Sequence, residues 1–169
     1  MSLFLIEQPI PSNERPTDVV SIIVKTVESS GGEVVESRTT ASGEIAFIVV
    51  EHHDAGSLEA DLSGAGFDAD IALVRLVGAD LEIVKSRTGG NYLVEWDLPD
   101  GLDMDTYLAR KAEKSPLYDQ VPEVRFERTY VREDMGKCLC FYEAGCEDDV
   151  RHAREVVATP VDRLHELDR

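Results

Sequence analysis

Bases are scarce in this sequence. Lys and Arg number 17 against 34 Asp and Glu, only five of the bases are lysine, and the formal net charge is -17. So acidic a chain repels both a phosphate backbone and an anionic bilayer surface, so neither nucleic acid nor membrane is expected as a partner. No apolar run approaches the ~20 residues of a membrane span. The opening MSLFLIEQPIP reaches an acid and a proline with no basic segment before them, unlike a signal peptide. A cytoplasmic protein is expected, with an acidic surface that suits solubility at high salt. Cysteine is also sparse. The three residues, Cys138, Cys140 and Cys146, are odd in number and clustered, which excludes a disulfide framework and predicts free thiols. Phosphate loops, nucleophile elbows, zinc-protease helices and Cys-x-x-Cys pairs are all missing.

What is present is a repeat. Phe4–Glu7 followed by Ile10-Pro11 is echoed by Tyr92–Glu95 followed by Leu98-Pro99. Residues 33–39 (EVVESRT) match 123–129 (EVRFERT), and 45–51 (IAFIVVE) match 137–143 (KCLCFYE). Asp70 falls where Asp162 does. The four matches keep their order, offset by about 88 to 92 positions, which points to an internal duplication.

The second copy is the clearer. Residues 92–98 alternate as a strand and end at Pro99-Asp100-Gly101. Asp103 is placed to cap a helix through about Ser115, which Pro116 closes. Residues 122–131 and 137–143 read as strands around the turn 132–136. Residues 147–157 read as a helix with Val150, Ala153, Val156 and Val157 on one face, stopped by Pro160 before a last strand, 164–167. The first copy follows suit, with strands 3–10, 33–40 and 44–51 and helices 17–29 and 57–63. Residues 71–77 and 81–85 are expected to close it as an extra hairpin around Gly78-Ala79-Asp80. Each copy is thus a βαββαβ unit, and the fold class is α+β, two tandem ferredoxin-like units (the α/β plait) spanning 1–87 and 91–169 with Thr88-Gly89-Gly90 as linker. One face of each small sheet needs cover, so the two sheets are expected to pack face to face as an intramolecular pseudo-dimer, with a homo-oligomer among the compatible assemblies.

The copies differ in chemistry. Where the second has Cys138, Cys140, Tyr142 and His152, the first has Ala46, Ile48, Val50 and Ala60. The second copy is therefore expected to keep a site and the first to serve as scaffold. Cys138, Cys140 and Tyr142 share one strand face, and the face carrying Glu95 is expected near them. Thiolate, carboxylate and imidazole together suit a late transition metal, although two cysteines in a central strand also serve as small core fillers. Glu7 and Glu95 occupy the same place in both copies, either solvated or facing a cleft. His52-His53 reads as a surface loop.

Residues 92–95 (YLVE), 128–131 (RTYV), 140–144 (CFYEA), 150–153 (VRHA) and 160–163 (PVDR) resemble a small bacterial family of ferredoxin-like proteins that includes a nickel-binding protein. The first half resembles it only through Leu5-Ile6-Glu7 and Asp70. The resemblance implies a ferredoxin-like fold, sheet-to-sheet dimerisation and binding of nickel or another divalent transition metal. The matching residues able to hold a metal are Glu95, Cys140 and His152, with Cys138, Tyr142 and Glu143 behind them.

Three functions are compatible with these features. The first is non-enzymatic binding of a divalent metal or small molecule. The second is an enzyme using a cavity between paired sheets, with Tyr142 or His152 as acid/base and Glu95 as orienter. The third is an acidic interaction or regulatory module.

Overall fold

The computed structural model describes every residue except Thr88, so that part of the expected linker lies outside the described residues. The chain divides into two compact units. One comprises Met1–Arg75, the segment from Leu81 and Asp168, and the other Leu76–Asp80, Gly89–Leu167 and Arg169.

The first unit runs β1 (Ser2–Pro9), α1 (Pro16–Ser29), β2 (Glu33–Thr39), β3 (Ile45–His52), α2 (Ala55–Gly64), β4 (Asp70–Val77) and α3 (Leu81–Ser86). Its strands lie in the order β2-β3-β1-β4, all neighbours antiparallel. Pro16 starts α1, where a missing N–H is harmless. Val19, Ile23 and Val27 recur every four residues and form its buried stripe. Asp54 caps α2 by accepting from the Ser57 amide at 2.8 Å. Ala46, Ile48 and Val50 of β3 meet these helices in an apolar core with Phe4, Ile6, Leu58 and Leu62.

The extra hairpin expected over residues 70–86 is not formed. Leu81–Ser86 is a short helix instead. With only Val84 buried, this segment lacks the alternating face of a strand, and Lys85 ties it down through ion pairs with Glu33 and Glu51 at 3.0 and 2.6 Å. His52 also departs from expectation. It is buried, with Nε2 3.2 Å from the Ser30 hydroxyl and Nδ1 2.8 Å from the Asp54 carbonyl, while His53 is exposed.

The second unit runs β5 (Tyr92–Asp97), α4 (Met104–Lys114), a 3-10 helix (Ser115–Gln120), β6 (Val124–Arg132), β7 (Lys137–Ala144), α5 (Glu147–Val156) and β8 (Arg163–Glu166). Its strand order, β6-β7-β5-β8, repeats that of the first unit. Asp103 caps α4 as expected, accepting from the Thr106 amide at 2.7 Å. Even the irregularities correspond, since β2 shifts register between Val34 and Glu36 and β6 between Phe126 and Arg128. The fold is α+β and ferredoxin-like.

Candidate ligand site in the C-terminal unit

Register decides which side chains meet. In β5 and β7, Tyr92 faces Tyr142, Val94 faces Cys140 and Trp96 faces Cys138. All six lie on the helix side of the sheet, in one core with Tyr107 of α4 and Val150 and Ala153 of α5. Leu93, Glu95 and Asp97 pair instead with Phe141, Leu139 and Lys137. Alternation along the strands puts this second set on the opposite face.

The helix-side core is unusually polar around Cys140, which is 1% exposed. Thr129, its cross-strand partner on β6, donates its hydroxyl to Sγ at 3.1 Å. Arg154 of α5, only 2% exposed, donates from Nη1 to the same sulfur at 3.5 Å and to the Tyr142 hydroxyl at 3.0 Å. Its Nη2 donates to the Pro160 carbonyl at 2.6 Å. The Tyr142 and Tyr118 hydroxyls lie 2.7 Å apart, and the Tyr118 ring stacks on Phe126. A hydrogen bond from Cys138 holds the Cys140 thiol well below its ordinary range. Burial opposes that shift, while Lys111, Arg154 and Thr129 add to it. Cys138 is correspondingly pushed up by the same bond and by burial. The two shifts run in opposite directions, so an anion on this pair is favoured on Cys140 rather than Cys138. Burial pushes the phenols of Tyr107, Tyr118 and Tyr142 up, so they stay protonated near neutrality.

Above these groups lies a cavity of about 30 Å³ that Cys140, Arg154, Trp96, Tyr107 and Tyr118 border, with Arg110, Lys111 and Lys114 of α4 completing its wall. The volume holds a few atoms, more than one water needs. Arg110 lies over the Trp96 ring at 5.6 Å, and Lys111 lies over Phe126 at 4.3 Å.

Of the six expected metal ligands, only Cys138, Cys140 and Tyr142 come together. The expectation that the face carrying Glu95 lies near the thiols is corrected by the pairing of Glu95 with Leu139, which puts it on the other side of the sheet. On the opposite face its carboxylate, 2% exposed, accepts from Lys137 at 2.6 Å, His165 at 2.8 Å and Arg163 at 2.9 Å. Burial raises its pKa, but the His165 and Lys137 hydrogen bonds and the Lys137 and Arg163 charges outweigh it and hold it at about 2. Glu143 is also on that face and accepts from the Gly90 amide at 3.0 Å. His152 is exposed on α5, turned away from Val150, Ala153 and Arg154. Among the described residues no three His, Cys, Asp or Glu side chains are grouped as a metal site requires. The donors this core offers a metal are two sulfurs and a phenol, with the Arg154 guanidinium beside them.

Sequence reasoning missed Arg154, Tyr107, Tyr118 and the α4 cations, though two signals were there. Arg154 follows Val150 by four residues on an otherwise apolar helix face, where the first copy has Leu58 and Leu62. Tyr107, Arg110, Lys111 and Lys114 have the i, i+3, i+4, i+7 spacing of a core-facing stripe, with three of its places taken by cations.

This unit is where the chain matches a known family. Residues 92–167 match the family described as "Nickel responsive protein SCO4226-like". The match covers the C-terminal unit and under half of the chain. No curated protein matches the sequence significantly. Among solved structures, one described as "Putative Chlorite dismutase TA0507" aligns with a TM-score of 0.54 at 11% identity, covering 100% of this chain and 96% of its own. The "Putative monooxygenase (FN1347)" of Fusobacterium nucleatum subsp. nucleatum aligns less closely, with a TM-score of 0.48 at 10% identity over 98% of this chain and 90% of its own. At such identities the likeness is one of fold. No helix among the described residues is long and apolar enough to cross a membrane.

Proposed function

We propose that this protein binds a small ligand without transforming it, in the cavity of its C-terminal unit, and that the N-terminal unit is scaffold. One contrast carries this reading. Two units of the same topology present Ala46, Ile48, Val50 and Leu62 in one core and Cys138, Cys140, Tyr142 and Arg154 in the other. A buried ionic group is a poor way to stabilise a core that apolar residues fill well. Its presence beside a cavity in one helix-side core, where the matching positions of the other unit are Ile48, Val50 and Leu62, supports a role in ligand contact. Protonated phenols around the cavity suit hydrogen bonding rather than proton exchange, which favours binding over catalysis. The shared strand order and matching register shifts support an origin by internal duplication.

The family match favours a metal-related second reading, with nickel the first ion to try. Cys138 and Cys140, with Tyr142 beside them, are then the donors, against the opposing charges of Arg154 and Lys111.

Thermal melting of the full chain with nickel, zinc, phosphate and acetate, repeated on Ser115→Tyr to fill the cavity wall, tests both. A ligand that raises the melting temperature of the wild type but not of the variant supports the cavity. Nickel stabilisation abolished by Cys138→Ala/Cys140→Ala supports the metal. Ligands that stabilise both proteins equally, or none that stabilises either, contradict the proposal.

A further inference from the structure

The cavity wall has a charge opposite to the rest of the molecule. Four of the chain's 17 bases, Arg110, Lys111, Lys114 and Arg154, border this one cavity, and among the described residues no Asp or Glu does, in a sequence with 34 of them. Lys111 and Lys114 are half-buried on the inner face of α4, and neither forms an ion pair among the described residues. The Nε of Arg154 is buried without a hydrogen-bond partner, although its two terminal nitrogens are engaged. Even with Cys140 as a thiolate, its one negative charge faces four positive ones. A guanidinium with a free donor, in a place shielded from water, gains more from an anion than a solvated base does.

Resting on the cavity as the binding site, we infer that its ligand is a small oxyanion, either inorganic or the carboxylate end of a compact organic acid. Arg154 Nε and the two lysines supply the charge and donors. Tyr118, Trp96 and Tyr107 supply the remaining walls. The limited volume restricts the buried part to a few atoms, so any larger acid extends outward past Lys111 and Lys114. Net repulsion from the acidic surface then acts as a filter. Highly charged anions are turned away at a distance, and a singly charged group that reaches the cavity is held locally.

Trp96 is the sequence's one tryptophan and borders the cavity, so its emission reports occupancy of the full chain directly. The probes are phosphate, nitrate, acetate and benzoate, each added at constant ionic strength. A saturable change with at least one of them is expected, weakened roughly tenfold in Lys111→Gln/Lys114→Gln. That variant alters half-buried side chains at the cavity wall, and circular dichroism checks that its fold is kept. Responses to phosphate or nitrate alone assign an inorganic oxyanion, and responses to acetate or benzoate alone assign a carboxylate. No saturable response to any anion, or undiminished affinity in the double variant, overturns the inference. If nickel changes Trp96 emission while every anion fails, the cavity remains a binding site and only the anionic class of its ligand falls.

Discussion

Arg154 donates to the Tyr142 hydroxyl at 3.0 Å from inside the core of the C-terminal unit, and the same Nη1 reaches Cys140 at 3.5 Å. One guanidinium thus ties helix α5 to two neighbouring inward positions of β7. The positions it occupies and contacts are apolar in the other unit, as Leu62, Val50 and Ile48. The contrast turns a packing question into a measurable one.

Arg154→Leu removes the charged donor from the Cys140 sulfur and the Tyr142 hydroxyl, leaving them only Thr129 and Tyr118 as partners. It is expected to destabilise the protein by about 3 to 5 kcal/mol, as removal of one member of a buried charged pair does. Adding Cys140→Ile and Tyr142→Val copies the first unit and is expected to recover most of that loss while abolishing ligand binding. Urea unfolding of the two variants checks the stability, and Trp96 emission checks the binding. A triple variant that stays as unstable as Arg154→Leu would mean that the network stabilises the fold rather than serving a ligand.

Cys140 is expected to titrate well below its ordinary 9.0, because Cys138, Lys111, Arg154 and Thr129 all favour its anion. Its folded value is depressed, so its contribution to stability is full above 9.0 and disappears as pH falls through the folded value. The difference in thiolate ultraviolet absorbance between wild type and Cys140→Ser, followed against pH, gives that value directly. Arg154→Leu should move it upward. A Cys140 that ionises only in alkaline solution would contradict the assignment of the thiolate.

Glu95 carries a separate pH dependence. Its folded value of about 2 lies below the ordinary 4.5, so its stabilisation is full above 4.5 and is lost as pH falls through about 2. Glu95→Gln is expected to lose on the order of 3 kcal/mol at neutral pH and to flatten the acid limb between these values. Chemical denaturation at several pH values tests this. Ligand binding in the cavity should survive, since Glu95 lies on the opposite face of the sheet.

How legible this was in the sequence follows from what periodicity can carry. Strand alternation placed Cys138, Cys140 and Tyr142 on one face, and helix caps such as Asp103 marked where α4 begins. The pairing register of β5 with β7 is a tertiary property, and strand alternation alone does not say which face of β5 meets the thiols of β7. The residue type of His152 suits a ligand, but helix spacing from Val150 and Ala153 turns it outward. Arg154 is the converse case, because a charged residue on an apolar stripe reads as a surface position until its burial is known. The helix at Leu81–Ser86 was missed because six residues with one buried side chain have too little periodicity to distinguish helix from strand.

The net charge of -17 implies surface self-repulsion, which added salt should screen. Raising the salt from about 0.05 to about 1 M shortens the Debye length severalfold and should raise the melting temperature. A melting temperature insensitive to salt would contradict that reading.

The most direct test of the central claim is to map amide NMR shifts of the full chain during titration with phosphate, acetate and nickel. The account predicts that at least one of these perturbs a contiguous set of signals, including Trp96, Tyr107, Cys140 and Arg154, and leaves β3 and α2 of the N-terminal unit unchanged. Shifts centred on the Glu95 face or on the N-terminal unit, or no specific shifts with any of the three, would contradict it.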